Sequence, residues 1–135
     1  MQSVVIDVPF TMRVVVSDLE REVTSTPVEI DTIVFQPPGA ESLVPAMLRR
    51  FSDGDADALV AVSVVHEAIK QVHDGVVQTG MDRADVVTVA GPEVVSRATL
   101  VAALLDRPHE STIDPAAFLA ERGKRVLAYP VRSRD

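Results

Sequence analysis

Every even-numbered residue from Val4 to Val16 is apolar: Val4, Ile6, Val8, Phe10, Met12, Val14 and Val16. Asp7, Thr11 and Arg13 stand between them, and only Val5, Pro9 and Val15 break the polar side. Period-two alternation marks a β-strand with one buried face. The run is long for one strand, spanning about 43 Å if fully extended. A hairpin centred on Phe10 keeps every even residue on one face, pairing Val8 with Met12, Ile6 with Val14 and Val4 with Val16. It also sets Asp7 against Arg13 and Val5 against Val15, and opposite charges across a strand pair contribute about 0.2–1 kcal/mol. A strand bent at Pro9, or an arm leaving the domain, are the alternatives to this hairpin.

Ser17-Asp18-Leu19-Glu20 has the spacing of a capping box and predicts a single helical turn. A second strand is expected over 28–35, with Val28 and Ile30 on one side and Glu29 and Asp31 on the other. Gln36-Pro37-Pro38-Gly39 ends it, because two prolines cannot continue a ladder. The period then becomes helical: a short helix over 41–51 with Pro45 in its first turn, and a long one over 55–78. In the long helix Val62, Val65, Ile69, Val72 and Val76 form a 3-4-3-4 stripe, with Ser63, Glu67, Lys70, Gln71 and Asp74 as a narrow polar face. Further on, the pattern predicts a strand over 85–89, a turn at Gly91-Pro92, and a helix over 93–106 stopped by Arg107-Pro108. Asp114-Pro115 opens a short helix to Arg122, Gly123 caps it, and a final strand covers 125–131. The expected fold is a single α+β domain over 1–135. Its β-rich region, residues 1–36, is an N-terminal antiparallel hairpin or meander packed on the long Val-rich helix. Its α-rich region, residues 40–135, is completed by βα-type elements.

Composition narrows the function more than it names one. The chain is 47% apolar with a net charge of −7, which argues against nucleic acid as the main partner, since phosphate contacts need clustered Lys and Arg. One local reversal exists, where Arg122, Lys124, Arg125, Arg132 and Arg134 make residues 121–135 basic; it reads as a solvated strand edge and tail. Lysine occurs only as Lys70 and Lys124 among many arginines, as expected of a GC-rich bacterial or phage genome. There is no cysteine, hence no disulfide or thiolate. No apolar run approaches the ~20 residues of a membrane span, so a cytoplasmic protein without a membrane partner is expected.

The candidate chemistry is sparse. His66 and His73 are seven residues apart, about 10 Å along a helix and too far for one metal ion. With Glu67 they could serve as a general acid–base group, and so could His109 with Glu110 in a polar loop. Asp53, Asp55 and Asp57 imitate a calcium loop, but Ala58 and Val64 occupy its required Gly and Glu positions, leaving the acids to complement a helix dipole. Residues 87–92 read as a βα connection without a phosphate-binding glycine pattern. No cofactor and no metal site is expected. With so little chemistry, the chain reads as a non-catalytic interaction or assembly module, partnered by another protein or by itself through Val5, Val15, Val62, Val65, Ile69 and Val72. The alternative is a small α/β enzyme or ligand-binding protein using His66, Glu67 and His73, or His109 and Glu110.

Overall fold

The alternating N-terminal run does not pair with itself. In the computed structural model, which describes residues 1–64, 70–80 and 87–131, strand β1 (Ser3–Asp7) lies parallel to β3 (Thr32–Gln36). Beyond β1 the chain makes a turn closed by Met12 N–H to the Pro9 carbonyl (2.9 Å), with Met12 at φ 58°. A short strand β2 (Val14–Val15) then pairs with β8 (Thr112–Ile113), and helix α1 (Val16–Ser25) begins at once. The hairpin is therefore corrected: Val5 lies beside Val34, Val15 beside Thr112, and Arg13 reaches Glu110 and Thr112 instead of Asp7. A helix wins after Val15 because Val16, Leu19 and Val23 recur at helical spacing and all become buried. That helix supplies the crossover that parallel strands require. The parity of the run still has physical content. Val8, Met12 and Val16 are buried in one core, Val4, Ile6 and Val14 pack against it, and Phe10 alone stands out at 77% exposed.

The main sheet has the order β1-β3-β7-β4-β9, formed with β4 (Ala58–Val64), β7 (Val87–Ser96) and β9 (Val126–Pro130). Only β7 runs against the others, so β1, β3, β4 and β9 bring their carboxyl ends to one edge. With four α-helices among the described residues the arrangement is α+β in outline, built on a mixed sheet instead of an antiparallel meander. Helices α1, α3 (Arg97–Leu104) and α4 (Pro115–Glu121) cover one face, where Ile33, Phe35, Val95, Leu100 and Phe118 pack together. The other face carries a 3-10 turn (Glu41–Leu43) and α2 (Val44–Phe51), which bury Val34, Met47, Leu59 and Val94.

Where it is described, the expected Val-rich helix over 55–78 forms strands instead: β4, and a separate two-stranded ribbon of β5 (Lys70–His73) and β6 (Val76–Gly80). A strand buried on both faces is a continuous apolar run, and its spacing can imitate a helical stripe. Two signals favoured strand: the density of β-branched residues, and Asp74-Gly75, whose φ values of 51° and 77° suit the two central residues of a tight hairpin turn. The expected strand over 28–35 starts later, since a turn joins Ile30 N–H to the Pro27 carbonyl and leaves Val28 82% exposed. Gly91-Pro92 is no turn either. It lies within β7, where the register with β4 slips between Val60 and Val62. Pairing with β3 ends at Glu93, so the proline removes no bond on that side. Helix α3 accordingly starts at Arg97, after a Ser96 cap whose Oγ accepts the Thr99 N–H (3.3 Å). The helices expected over 41–51 and 115–122 and the final strand form close to where the sequence places them.

Candidate functional site

At the carboxyl edge of the sheet the chain leaves neighbouring strands in opposite directions. After β1 it passes through Phe10 and Met12 to α1 on one face; after β3 it passes through Pro37-Pro38-Gly39 to α2 on the other. Such a divergence opens a crevice beyond the strand ends, where ligands of open α/β sheets bind. A cleft of about 630 Å³ fills this position. Phe10 and Met12 form one wall, residues 37–40 with Ser42 and Leu43 the second, and Val89, Gly91 and Val131 the rest. The two loops are tied at their root by Val8 N–H to the Gln36 carbonyl (3.0 Å). Gly39, at φ 81°, lets the second wall turn straight after two prolines. None of these lining residues is charged, and Ser42 supplies their one side-chain hydroxyl. The cleft suits an uncharged, partly apolar group, with Phe10 exposed at its mouth for stacking.

Gly91 sets the depth of the cleft. A Cβ built there would come within 2.9 Å of Leu43 Cδ1 and 3.4 Å of Ala61 Cβ. Gly91→Ala is expected to swing the Leu43 side chain into the cleft at a stability cost within about 1 kcal/mol, since only the end of that flexible side chain has to move. The Leu43 methyl shifts check this, and unmoved methyls would refute the contact.

A buried acid lies two residues along β7 from Gly91. Glu93 is 1% exposed, and its Oε1 accepts the Ala116 N–H in the first turn of α4 (2.9 Å). It also hydrogen-bonds the side chain of Asp114, the α4 cap, whose Oδ1 accepts the Ala117 N–H (3.3 Å). Burial first, then the bond to Asp114 and its charge, push the Glu93 carboxyl up to about 9. Glu93 therefore keeps its proton at neutral pH and donates it to Asp114. The sequence placed Glu93 in a helix first turn; its position between Pro92 and the apolar Val94-Val95 was the missed sign of a strand interior.

The other candidates scatter. His66, Glu67, Val65 and Ile69 lie outside the described residues, and His73 and Val72 are placed only as backbone of β5. His109 and Glu110 line a smaller depression of about 210 Å³ with Arg13, Asp114, Glu121 and Arg122. There Glu110 is engaged by Arg13 (3.2 Å), while His109 makes no hydrogen bond or ion pair with another described residue. The acids at 53–57 precede a strand instead of a helix. Arg50 binds Asp55 (2.7 Å) and Asp53 (3.3 Å); its hydrogen bond holds the Asp55 carboxyl below the usual range. Asp57 accepts the Arg125 N–H (2.9 Å) and the Thr99 hydroxyl (3.2 Å), joining β4, α3 and the start of β9. The basic C-terminal residues are partly spent in the fold: Arg122 stacks on Phe118 (3.6 Å) and Arg125 donates to the Asp55 carbonyl (2.7 Å). Of the proposed contact residues, Val5 and Val15 are half-exposed on separate strands and Val62 is buried. Among the described residues no group of three His, Asp or Glu side chains could hold a metal ion, and no helix is long and apolar enough to cross a membrane.

The fold has solved counterparts. The chain superposes on 4-diphosphocytidyl-2C-methyl-D-erythritol synthase from Anaerococcus prevotii with a TM-score of 0.71 and 11% identity, covering 84% of this chain and 55% of that one. On 2-C-methyl-D-erythritol 4-phosphate cytidylyltransferase from Thermus thermophilus the values are 0.68 and 16%, over 87% and 59%. On the Francisella tularensis enzyme of the same name they are 0.65 and 12%, again over 87% and 59%. The fold is that of these cytidylyltransferases. The chain spans between half and three-fifths of the length of these three. No protein-family model matches the sequence, and no curated protein does. The likeness corrects the expectation of a non-catalytic interaction or assembly module, because these counterparts, which share the chain's architecture, are enzymes and not such modules.

Proposed function

We propose that the chain is a small-molecule-binding α/β protein, an extension of the enzyme or ligand-binding alternative, with the cleft at the β1 and β3 carboxyl ends as its site. The observation that carries this reading is the position of the cleft, where the chain departs to opposite faces from adjacent parallel strands. A cytidine nucleoside or nucleotide is the ligand class to which the fold points, given the cytidylyltransferases that share it. The uncharged lining among the described residues favours the base and sugar over the phosphates, which would project into solvent. Residues 1–135 act as one domain in this reading, with sheet strands drawn from both halves of the chain.

Calorimetric titration of the full chain with cytidine, CMP and CTP tests the proposal. Cytidine and CTP are expected to bind with affinities within about tenfold of each other, since no charged residue lines the cleft among the described residues. Leu43→Trp, which fills the cleft, is expected to abolish both. Absence of binding by all three at millimolar concentration would sink the reading.

A further inference from the structure

Glu93 and Asp114 join the two sides of the cleft, and that connection carries a consequence for ligand binding. Asp114 directly follows β8, and β8 pairs with β2 through Ile113–Val14 and Thr112–Val15. Arg13 strengthens the same junction, donating from Nη2 to the Thr112 carbonyl (2.9 Å) and from Nε to its Oγ1 (3.3 Å). Val16 N–H adds a bond to the Ser111 carbonyl (2.9 Å). β2 in turn follows the Pro9–Met12 turn, which supplies Phe10 and Met12 to the cleft. On the other side, Glu93 continues the strand that brings Gly91 to the cleft. A single hydrogen-bonded carboxyl pair thus spans from one wall, through β8 and β2, to the strand that forms the other.

We infer that the Glu93–Asp114 pair is a proton-operated latch: while the proton is held, α4 and β8 are fastened to β7 and the Phe10–Met12 wall is set; when it leaves, that wall is released. The inference rests on the cleft being the ligand site, and it adds how occupancy of that site is regulated. The surroundings leave the pair without compensation. Phe35 of β3 and Val60 of β4 flank Glu93, while Leu19, Leu100, Phe118 and Leu119 line the helices on its face. Of the charged groups on those helices, Arg97 donates to the Val23 and Thr26 carbonyls, Glu20 pairs with Arg107, and Arg21 pairs with Asp18. Only the Ala116 N–H favours an ionised Glu93; Arg13 and Arg122 border the depression that Asp114 also lines, but Arg13 is bound to Glu110 and Thr112 and Arg122 lies over Phe118 and donates to its carbonyl, so loss of the proton puts a second charge beside Asp114. Release stays local, because Phe118 and Leu119 still bury the apolar face of α4.

The test follows methyl NMR signals of Met12, Ile113 and Met47 in the full chain from pH 6 to 10, with parallel titrations of cytidine, which keeps its charge over this range. Met12 and Ile113 are expected to shift with the midpoint of the Glu93 carboxyl carbon, Met47 on the opposite face is expected to stay, and cytidine affinity is expected to fall at least tenfold. In Glu93→Gln, which keeps both hydrogen bonds and cannot ionise, signals and affinity are expected to remain flat. Asp114→Asn is expected to move the midpoint down. Met12 and Ile113 signals that ignore the Glu93 titration would overturn the latch, as would Met47 moving with the same midpoint, which signals global unfolding. If the wall moves as described but cytidine binds at no pH, the latch stands and the ligand reading fails.

Discussion

Glu93→Gln is expected to make the protein more stable at neutral pH, although it alters one of the two buried polar side chains among the described residues. The folded carboxyl titrates near 9 against an ordinary value of 4.5. The folded state therefore holds a proton that the unfolded chain gives up between those values. The stability tied to that proton is complete below pH 4.5, declines as pH rises through the window, and is gone above pH 9. The limiting slope is about 1.4 kcal/mol per pH unit. Glutamine offers the same carbonyl oxygen to the Ala116 N–H and an amide N–H to Asp114, with no proton to lose. The two proteins should have similar stability near pH 4.5 and diverge by about 3 kcal/mol at pH 7, glutamine the higher. Urea denaturation at pH 5, 7 and 9 measures the divergence. Parallel curves at all three values would show that Glu93 is not held protonated.

Phe35→Ala is the second large effect, expected to cost about 3–5 kcal/mol. Phe35 is fully buried in β3, beside Glu93 on β7 and among the side chains that α1, α3 and α4 bring to that face. Its removal leaves a cavity against a close-packed sheet that relaxes little. Val28→Ala provides the contrast. The hydrophobic pattern places Val28 and Phe35 in one strand, yet Val28 precedes the sheet and is exposed, so its truncation should stay within about 0.5 kcal/mol. Thermal or urea unfolding of both variants separates the two structures, and comparable losses would favour a strand beginning at Val28.

The elements that were legible carry their own local signals. Asp114 caps α4 through its side chain, Pro115 opens it, and Gly123 follows it at φ 76°. Pro45 similarly lies in the first turn of α2. Where the signal depended on a partner, the pattern misled. β4 is apolar on both faces because it lies between β7 and β9 with packing on each side, so its spacing said nothing of strand or helix. Gly91-Pro92 resembles a turn in one dimension and proves to be an irregular stretch of strand that admits Leu43. The candidate site was the least legible feature. Its walls are Phe10, two prolines, glycines and aliphatic residues, types without a chemical motif, and only their placement at one end of the sheet makes a cleft of them.

By itself the sequence determined which residues must leave water. Of the even residues of the N-terminal run, Val8, Met12 and Val16 are buried and Val4, Ile6 and Val14 pack against them as their parity requires, while Phe10 stays exposed at the turn. It also determined the ends of α4, with Asp114 before it and Gly123 after it, whereas the capping box expected at Ser17 does not form and α1 starts after Val15 without a side-chain cap. Tertiary structure alone decided what those buried faces met: β1 against β3 instead of its own continuation, β2 against β8, and Glu93 against Asp114. The physical reason is range. Burial is a property of each side chain and caps act within one turn, whereas strand pairing and the proton of a buried carboxyl depend on groups brought together from distant stretches of the chain.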